Sequence, residues 1–290
     1  MSLWPRKRWS LGVGMQGIAW GRSGEALLHR APAEFMPDSL PLQESSPQRV
    51  SSLRASLQGA VQAMAAQPAT DVRVLLADNV VRYWLQAVPQ RLGSLRELQA
   101  VAGLRCGQIF GGGTAAWHVA GDWQAQGLFV CAAVPRWIMD TVTQVMPGSL
   151  CVSSLLAQCL RSDWVTSQRD GWLCLTLPGT AVVLGLTHGR IASLRLLPLP
   201  AYQASDEVLV LDLAALELQR EALRAQRPVP AQVTWLPLLR QQAGEAVVRG
   251  IQFRPVPAPA WAGQAKDIEL TDDAGLAATL GLSPALWSGA

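Results

Sequence analysis

Three glycines near the start of the chain, Gly12, Gly14 and Gly17, stand at the spacing GxGxxG. That pattern lets a backbone approach a dinucleotide pyrophosphate. The chemistry needs a helix directly after the glycines, so that its N-terminal N–H groups meet the phosphate, and an acidic residue further on. Here the strand-like run Ile18-Ala19-Trp20 follows, so a β-turn is expected instead. Gly111, Gly112 and Gly113 likewise read as a turn, and GxxxxGK[ST] is absent from the sequence. His29, His118 and His188 are far apart, and no HxH, HExxH or CxxC occurs, so no metal site is expected. A Cys–His pair using His118 has no spacing behind it, and no GxSxG elbow exists. Asp206-Glu207 precedes a strand-like run and Asp272-Asp273 opens a helix-like one, so both acidic pairs have structural explanations. Arg82 beside Tyr83 and Trp84 could form a surface contact site; the competing reading is an ordinary half-exposed strand face.

Composition narrows the classes. Half of the 290 residues are hydrophobic and 16% are charged, which suits a globular protein and excludes disorder. A net charge of +3 is too small and too spread for nucleic-acid binding. Twelve Trp against two Tyr supply large amphipathic rings suited to cores and interfaces. Cys106, Cys131, Cys151, Cys159 and Cys174 are scattered through apolar runs, as expected of reduced thiols in the cytosol. The basic start MSLWPRKRW is not followed by a signal-peptide h-region, and no run of about 18 apolar residues occurs. The expectation is a soluble, cytoplasmic protein that reaches any membrane through a partner.

The elements that must position these residues follow a mixed α/β pattern without strict βαβ alternation. Residues 170–197 read as three short strands, 172–177, 180–186 and 191–197, joined by tight turns at Pro178-Gly179 and His188-Gly189. The first two strands are apolar throughout, so both faces should be buried. Residues 11–29 repeat that layout, and the echo suggests two related sheets. A Pro- and Ser-rich linker, 31–48, precedes a helix whose stripe is Leu53, Leu57, Ala60, Val61 and Met64. Strands are expected over 72–76, 81–88, 128–134, 207–211, 232–238 and 246–253. Helices are expected after Ser94, after Pro135, over 214–226 and from Thr271 to a stop at Gly281. Residues 151–161 fit either state.

The order of elements resembles the actin-like ATPase (ribonuclease H-like) fold as used by PilM-type proteins of type IV pilus assembly and the cytoplasmic domain of GspL in type II secretion. The resemblance rests on LGVGMQGIAW (11–20), VLLADNVVRYW (74–84), the stretch 110–134 with Trp117 and LFVCAAV, the stretch 173–189, and TLGL (279–282). It implies two lobes, 1–165 and 166–262, with a small inserted subdomain at about 90–134 and a C-terminal helix in 263–290 returning to the first lobe.

The resemblance also implies two phosphate hairpins, here Gly12, Gly14, Met15 and Gln16 in the first and Pro178, Gly179 and Thr180 in the second. Family members with ATPase activity carry an Asp in each hairpin and a Gly-Gly turn against adenosine. This chain has GVGMQG and LCLTLPGT, with no carboxylate, and Pro237-Leu238 in place of Gly-Gly. Without a carboxylate for Mg²⁺, phosphoryl transfer loses its charge-neutralising device. The expectation is a non-enzymatic pseudo-ATPase with no ATP or Mg²⁺ cofactor. It would act as a scaffold at the cytoplasmic face of the inner membrane, holding a membrane-anchored PilN-like partner by a short cytoplasmic peptide. The alternative is a PilM-like protein binding nucleotide through backbone N–H groups and Thr180. A sugar-kinase relative would need a catalytic Asp in the interlobe cleft, and none can be nominated.

Overall fold

The computed structural model describes residues 8–15, 17–22, 29–32, 41–65, 71–91, 93–124, 127–146, 150–161, 163–177, 180–199, 207–237 and 244–256. The expected helix beginning at Thr271 and the Pro178-Gly179 turn lie outside them.

The apolar, glycine-punctuated start of the chain folds as a meander, β1 (Arg8–Gly14), β2 (Gly17–Arg22) and β3 (His29–Pro32). Helix α1 (Pro47–Ala65) then crosses to β4 (Asp71–Leu76), which pairs parallel with β1. Its expected stripe faces inward, with Leu53, Leu57, Ala60 and Met64 buried. Strand β8 (Leu150–Ser154) pairs parallel with β4 and completes a five-stranded sheet in the order β3-β2-β1-β4-β8.

The second meander is β9 (Gly171–Leu177), β10 (Thr180–Thr187) and β11 (Arg190–Pro198). Helix α6 (Glu207–Arg224) crosses to β12 (Gln232–Pro237), parallel to β9; β13 (Ala246–Val248) and β14 (Ile251–Pro255) follow. The order β11-β10-β9-β12-β14-β13 repeats that of the first sheet with one strand added at the edge. The β10–β11 turn has φ of 52° at His188 and 72° at Gly189, as a two-residue turn matching the strand twist requires.

Two expectations are corrected here. Residues 207–211 are not a strand: α6 runs unbroken, because Val210, Leu211, Ala214, Ala215, Leu218 and Ala222 fall on one buried helical face. Residues 246–253 are two strands rather than one, since Arg249 and Gly250, both at positive φ, reverse the chain between them. Residues 151–161 adopt both states in turn: β8 passes at Ser154 into α4 (Leu155–Leu160), and α5 (Asp163–Thr166) leads on to β9.

Between β4 and β8 the chain builds a third sheet. Strands β5 (Arg82–Ala87), β6 (Trp117–Gly121) and β7 (Leu128–Pro135) pair antiparallel in the order β5-β7-β6. The sheet starts at Arg82, within the strand expected over 81–88. Helix α2 (Leu95–Phe110) covers one of its faces. Ser94 Oγ accepts from the Glu97 N–H at 3.2 Å, and Glu97 Oε2 accepts from the Gly93 N–H at 2.9 Å, which stops the helix start from fraying. Beneath α2, Leu98, Ala102 and Cys106 pack with Trp84, Trp117, Phe129 and Cys131. Helix α3 (Arg136–Val145) returns the chain to the first lobe and packs on α1.

One buried cluster runs through both lobes. It contains Leu11, Val13, Ile18 and Leu75 of the first sheet and Leu173, Leu175, Leu177, Val182, Leu184 and Leu236 of the second. Burying each such side chain contributes about 1.5–3 kcal/mol, so this continuous core is a large share of what holds the lobes together. The opposite face of the second sheet packs against α6 through Cys174, Val183, Trp235 and Phe253.

Candidate functional site

The first hairpin places Gly12 inside β1, opposite Ala19 of β2 and Leu75 of β4. Gly14 pairs with Gly17, so Met15 and Gln16 form the turn; Gln16 lies outside the described residues. The Met15 N–H donates to Asn79 Oδ1 at 3.3 Å, and the Met15 side chain packs on the central core. In the second hairpin, Thr180 pairs with Leu177 and is buried; Pro178 and Gly179 lie outside the described residues. The nearby Thr176 hydroxyl accepts from the Trp235 indole N–H at 3.3 Å and donates to the Leu236 carbonyl at 3.4 Å. Its hydrogen-bonding capacity is thus used within the core. Neither turn contains a carboxylate, and β12 ends with Pro237 beside Thr176. This donor set does not fit a magnesium–nucleotide complex, so no phosphoryl-transfer step is derived from it. Among the described residues no cluster of three or more His, Cys, Asp or Glu could hold a metal.

The structure corrects the reading of Arg82, Tyr83 and Trp84 as a surface contact. Tyr83 is 6% exposed and Trp84 7%. The two rings lie on opposite faces of β5: Tyr83 joins the central core and also borders the groove described below, and Trp84 joins the cluster beneath α2. Arg82 is half-buried, and its Nη1 donates to the carbonyls of Asn79 and Val81 at 3.2 and 3.3 Å.

What the structure does present is a groove of about 1020 Å³. One wall is the face of the three-stranded sheet turned away from α2, with His118, Ala120, Val130 and Ala132. The opposite wall is Val152, Ser153 and Ser154 of β8, then Ala157 and Arg161. Gly189 and Arg190 of the β10–β11 turn close one end. Strand β8 is the edge of its sheet, so one row of its backbone groups is free of strand pairing. Arg161, Arg190 and Asp122 place exposed charges on the rim.

Behind this groove lies Asp78, which the sequence reading did not single out. Its Oδ1 accepts from the Tyr83 hydroxyl and from the Leu156 N–H at 3.2 Å. One carboxyl therefore joins the end of β4 to β5 and to the first turn of α4. Its Oδ2 has no hydrogen-bond partner among the described residues. Burial pushes the carboxyl up to about 7, and the two donated hydrogen bonds only partly oppose this. Burial, then Asp78, raises the Tyr83 hydroxyl well above its ordinary value. The sequence signal was present: Asp78 is an acid inside the apolar run VLLADNVV.

No protein-family model matches the sequence, and no curated protein matches it. Solved structures do. A PilM–PilN type IV pilus biogenesis complex matches over 97% of this chain and 100% of that chain, with a TM-score of 0.56 at 16% identity. The fold is actin-like. The cytoplasmic domain of EpsL, an inner-membrane component of the type II secretion system of Vibrio cholerae, matches over 92% of this chain and 94% of that one, with a TM-score of 0.50 at 14% identity. In this actin-like chain the strands of both hairpins pair as expected. Among the described residues, no helix is long and apolar enough to cross a membrane.

Proposed function

We propose that this chain is a non-catalytic scaffold of a type IV pilus or type II secretion-like assembly, working at the cytoplasmic face of the inner membrane. Its partner is a membrane-anchored, PilN-like protein that inserts a short segment into the groove between the third sheet and β8. The observation that carries this reading is the likeness of the whole chain to a protein solved in a PilM–PilN complex. The groove supports it: an apolar floor, a free strand edge and a charged rim suit an extended peptide. The acid-free hairpins and the core shared by both lobes support the absence of nucleotide hydrolysis. The competing reading, a nucleotide pocket using Thr180, requires a buried side chain to become accessible.

Calorimetry with the cytoplasmic tails of membrane proteins encoded beside this one tests the proposal. Saturable binding of one tail, lost in Ala132→Trp, is expected. Binding of none, or a clear thermal shift with ATP and Mg²⁺, would overturn it.

A further inference from the structure

Asp78 is a buried carboxyl that touches the groove's wall through Tyr83. The groups that face it are the Tyr83 hydroxyl of β5, the Leu156 N–H at the start of α4 and the Cys159 thiol of the same helix; the Ser154 hydroxyl bonds to Tyr83. Arg82, nearby in sequence, directs Nη1 to two main-chain carbonyls. Of the two Asp78 oxygens, Oδ1 has two donors and Oδ2 has none among the described residues. Ionised, Oδ2 needs a donor that the packed wall does not supply; protonated, the carboxyl carries no charge to solvate. Water could best approach from the groove, because Tyr83 both donates to the carboxyl and lines the groove, where its partner Ser154 also lies.

We propose, resting on the docking reading above, that Asp78 makes occupancy of the groove proton-linked: the groove binds an apolar segment when Asp78 is protonated and releases it when Asp78 ionises. An apolar segment seated on Tyr83 and Ser154 excludes the water that would solvate the carboxylate, so occupancy favours the neutral acid. Linkage is reciprocal, so protonation must favour occupancy by the same factor. The carboxyl's poise at about 7 puts the transition in the neutral range. A further rise of one unit on occupancy corresponds to about a 10-fold change in Kd across the titration.

The test is the Kd of the partner tail between pH 6 and pH 8, for the wild type and two variants. Wild type should bind about 5-fold more weakly at pH 8 than at pH 6, this window covering most of the 10-fold limit. Asp78→Asn keeps an Oδ1 acceptor for Tyr83 and Leu156 without a charge, so its Kd should stay flat and within a few-fold of the wild-type value at pH 6. His118, the ionisable imidazole that lines the groove, is controlled by His118→Asn, in which the slope should persist. A flat wild-type profile, a slope retained in Asp78→Asn, or a slope lost in His118→Asn would each overturn the proposal. If no tail binds at any pH, the docking reading falls by itself. The proton link is then read with Nile red, a neutral apolar probe of the groove: its affinity should fall from pH 6 to pH 8 in wild type and not in Asp78→Asn. Equal pH profiles for the two proteins overturn the link.

Discussion

The two sheets share one strand order and differ in what fills a single crossover. Between β12 and β14 the chain needs only residues 238–250, which add one short edge strand. Between β4 and β8 the equivalent crossover spans residues 77–149 and contains the third sheet, α2 and α3. The groove, Asp78 and the exposed sheet face all belong to the longer crossover or border it. The strands of the two hairpins are packed core. The comparison teaches that in this chain the duplicated sheets act as a frame, and the proposed docking groove is lined largely by the insertion.

The comparison can be broken by paired substitutions. Trp235→Ala in the second sheet and Trp117→Ala in the third each remove a fully buried indole, at a cost of about 3–5 kcal/mol. Trp235 lies in the cluster that holds α6 on its sheet, so urea denaturation should show loss of global stability. Trp117 lies in the separate cluster beneath α2, and its indole N–H donates to the Gly111 carbonyl at 2.8 Å. Hydrogen exchange in Trp117→Ala should lose protection over residues 82–135 and keep it over 171–198. Equal loss in both regions would show that insertion and frame are one cooperative unit.

Asp78→Ala should cost about 2–4 kcal/mol, because it strips the acceptor from the Tyr83 hydroxyl and the Leu156 N–H together. The pH dependence has a definite sign. Folding raises the carboxyl from an ordinary 3.8 to about 7, so the folded state binds the proton more tightly. The stabilisation is complete below the ordinary value and is lost as pH rises to about 7, by up to about 1.4 kcal/mol per pH unit. Melting temperatures of wild type and Asp78→Asn should therefore converge below about pH 4, separate in favour of Asp78→Asn as pH rises to about 7, and keep a constant gap above it.

Two smaller effects sharpen the division between frame and insertion. Ala132→Trp, on the half-exposed floor of the groove, should weaken partner binding at least about 10-fold while leaving the melting temperature within a few degrees. Gly189→Ala should cost about 1–2 kcal/mol: φ is 72° there, and the added methyl meets nothing within 4 Å, so the penalty is purely backbone. Differential scanning calorimetry would resolve it.

Several local features were legible in the sequence for physical reasons. The meander at 170–197 showed itself through apolar runs broken by turn-forming pairs, and α1 through a stripe of period 3.6. The misreading of 207–211 came from Val208 and Val210, whose β-branched side chains suit strands; burial of one continuous helical face outweighs that preference. At Arg82, Tyr83 and Trp84 the strand itself was expected correctly. Strand alternation says which residues share a face, but not that a helix covers one face and the protein body the other.

The sequence by itself determined the mixed α/β class, the repeated meander, and hairpins without acids, because period, turn chemistry and residue type are local properties of a chain. Only the tertiary structure decided the rest. Leu156 lies 78 residues beyond Asp78, and only folding brings its N–H to that carboxylate. The groove arises between strands that do not pair with one another, and a charge's burial depends on everything packed around it. Those are properties of distant segments meeting, and no short window of this sequence contains them.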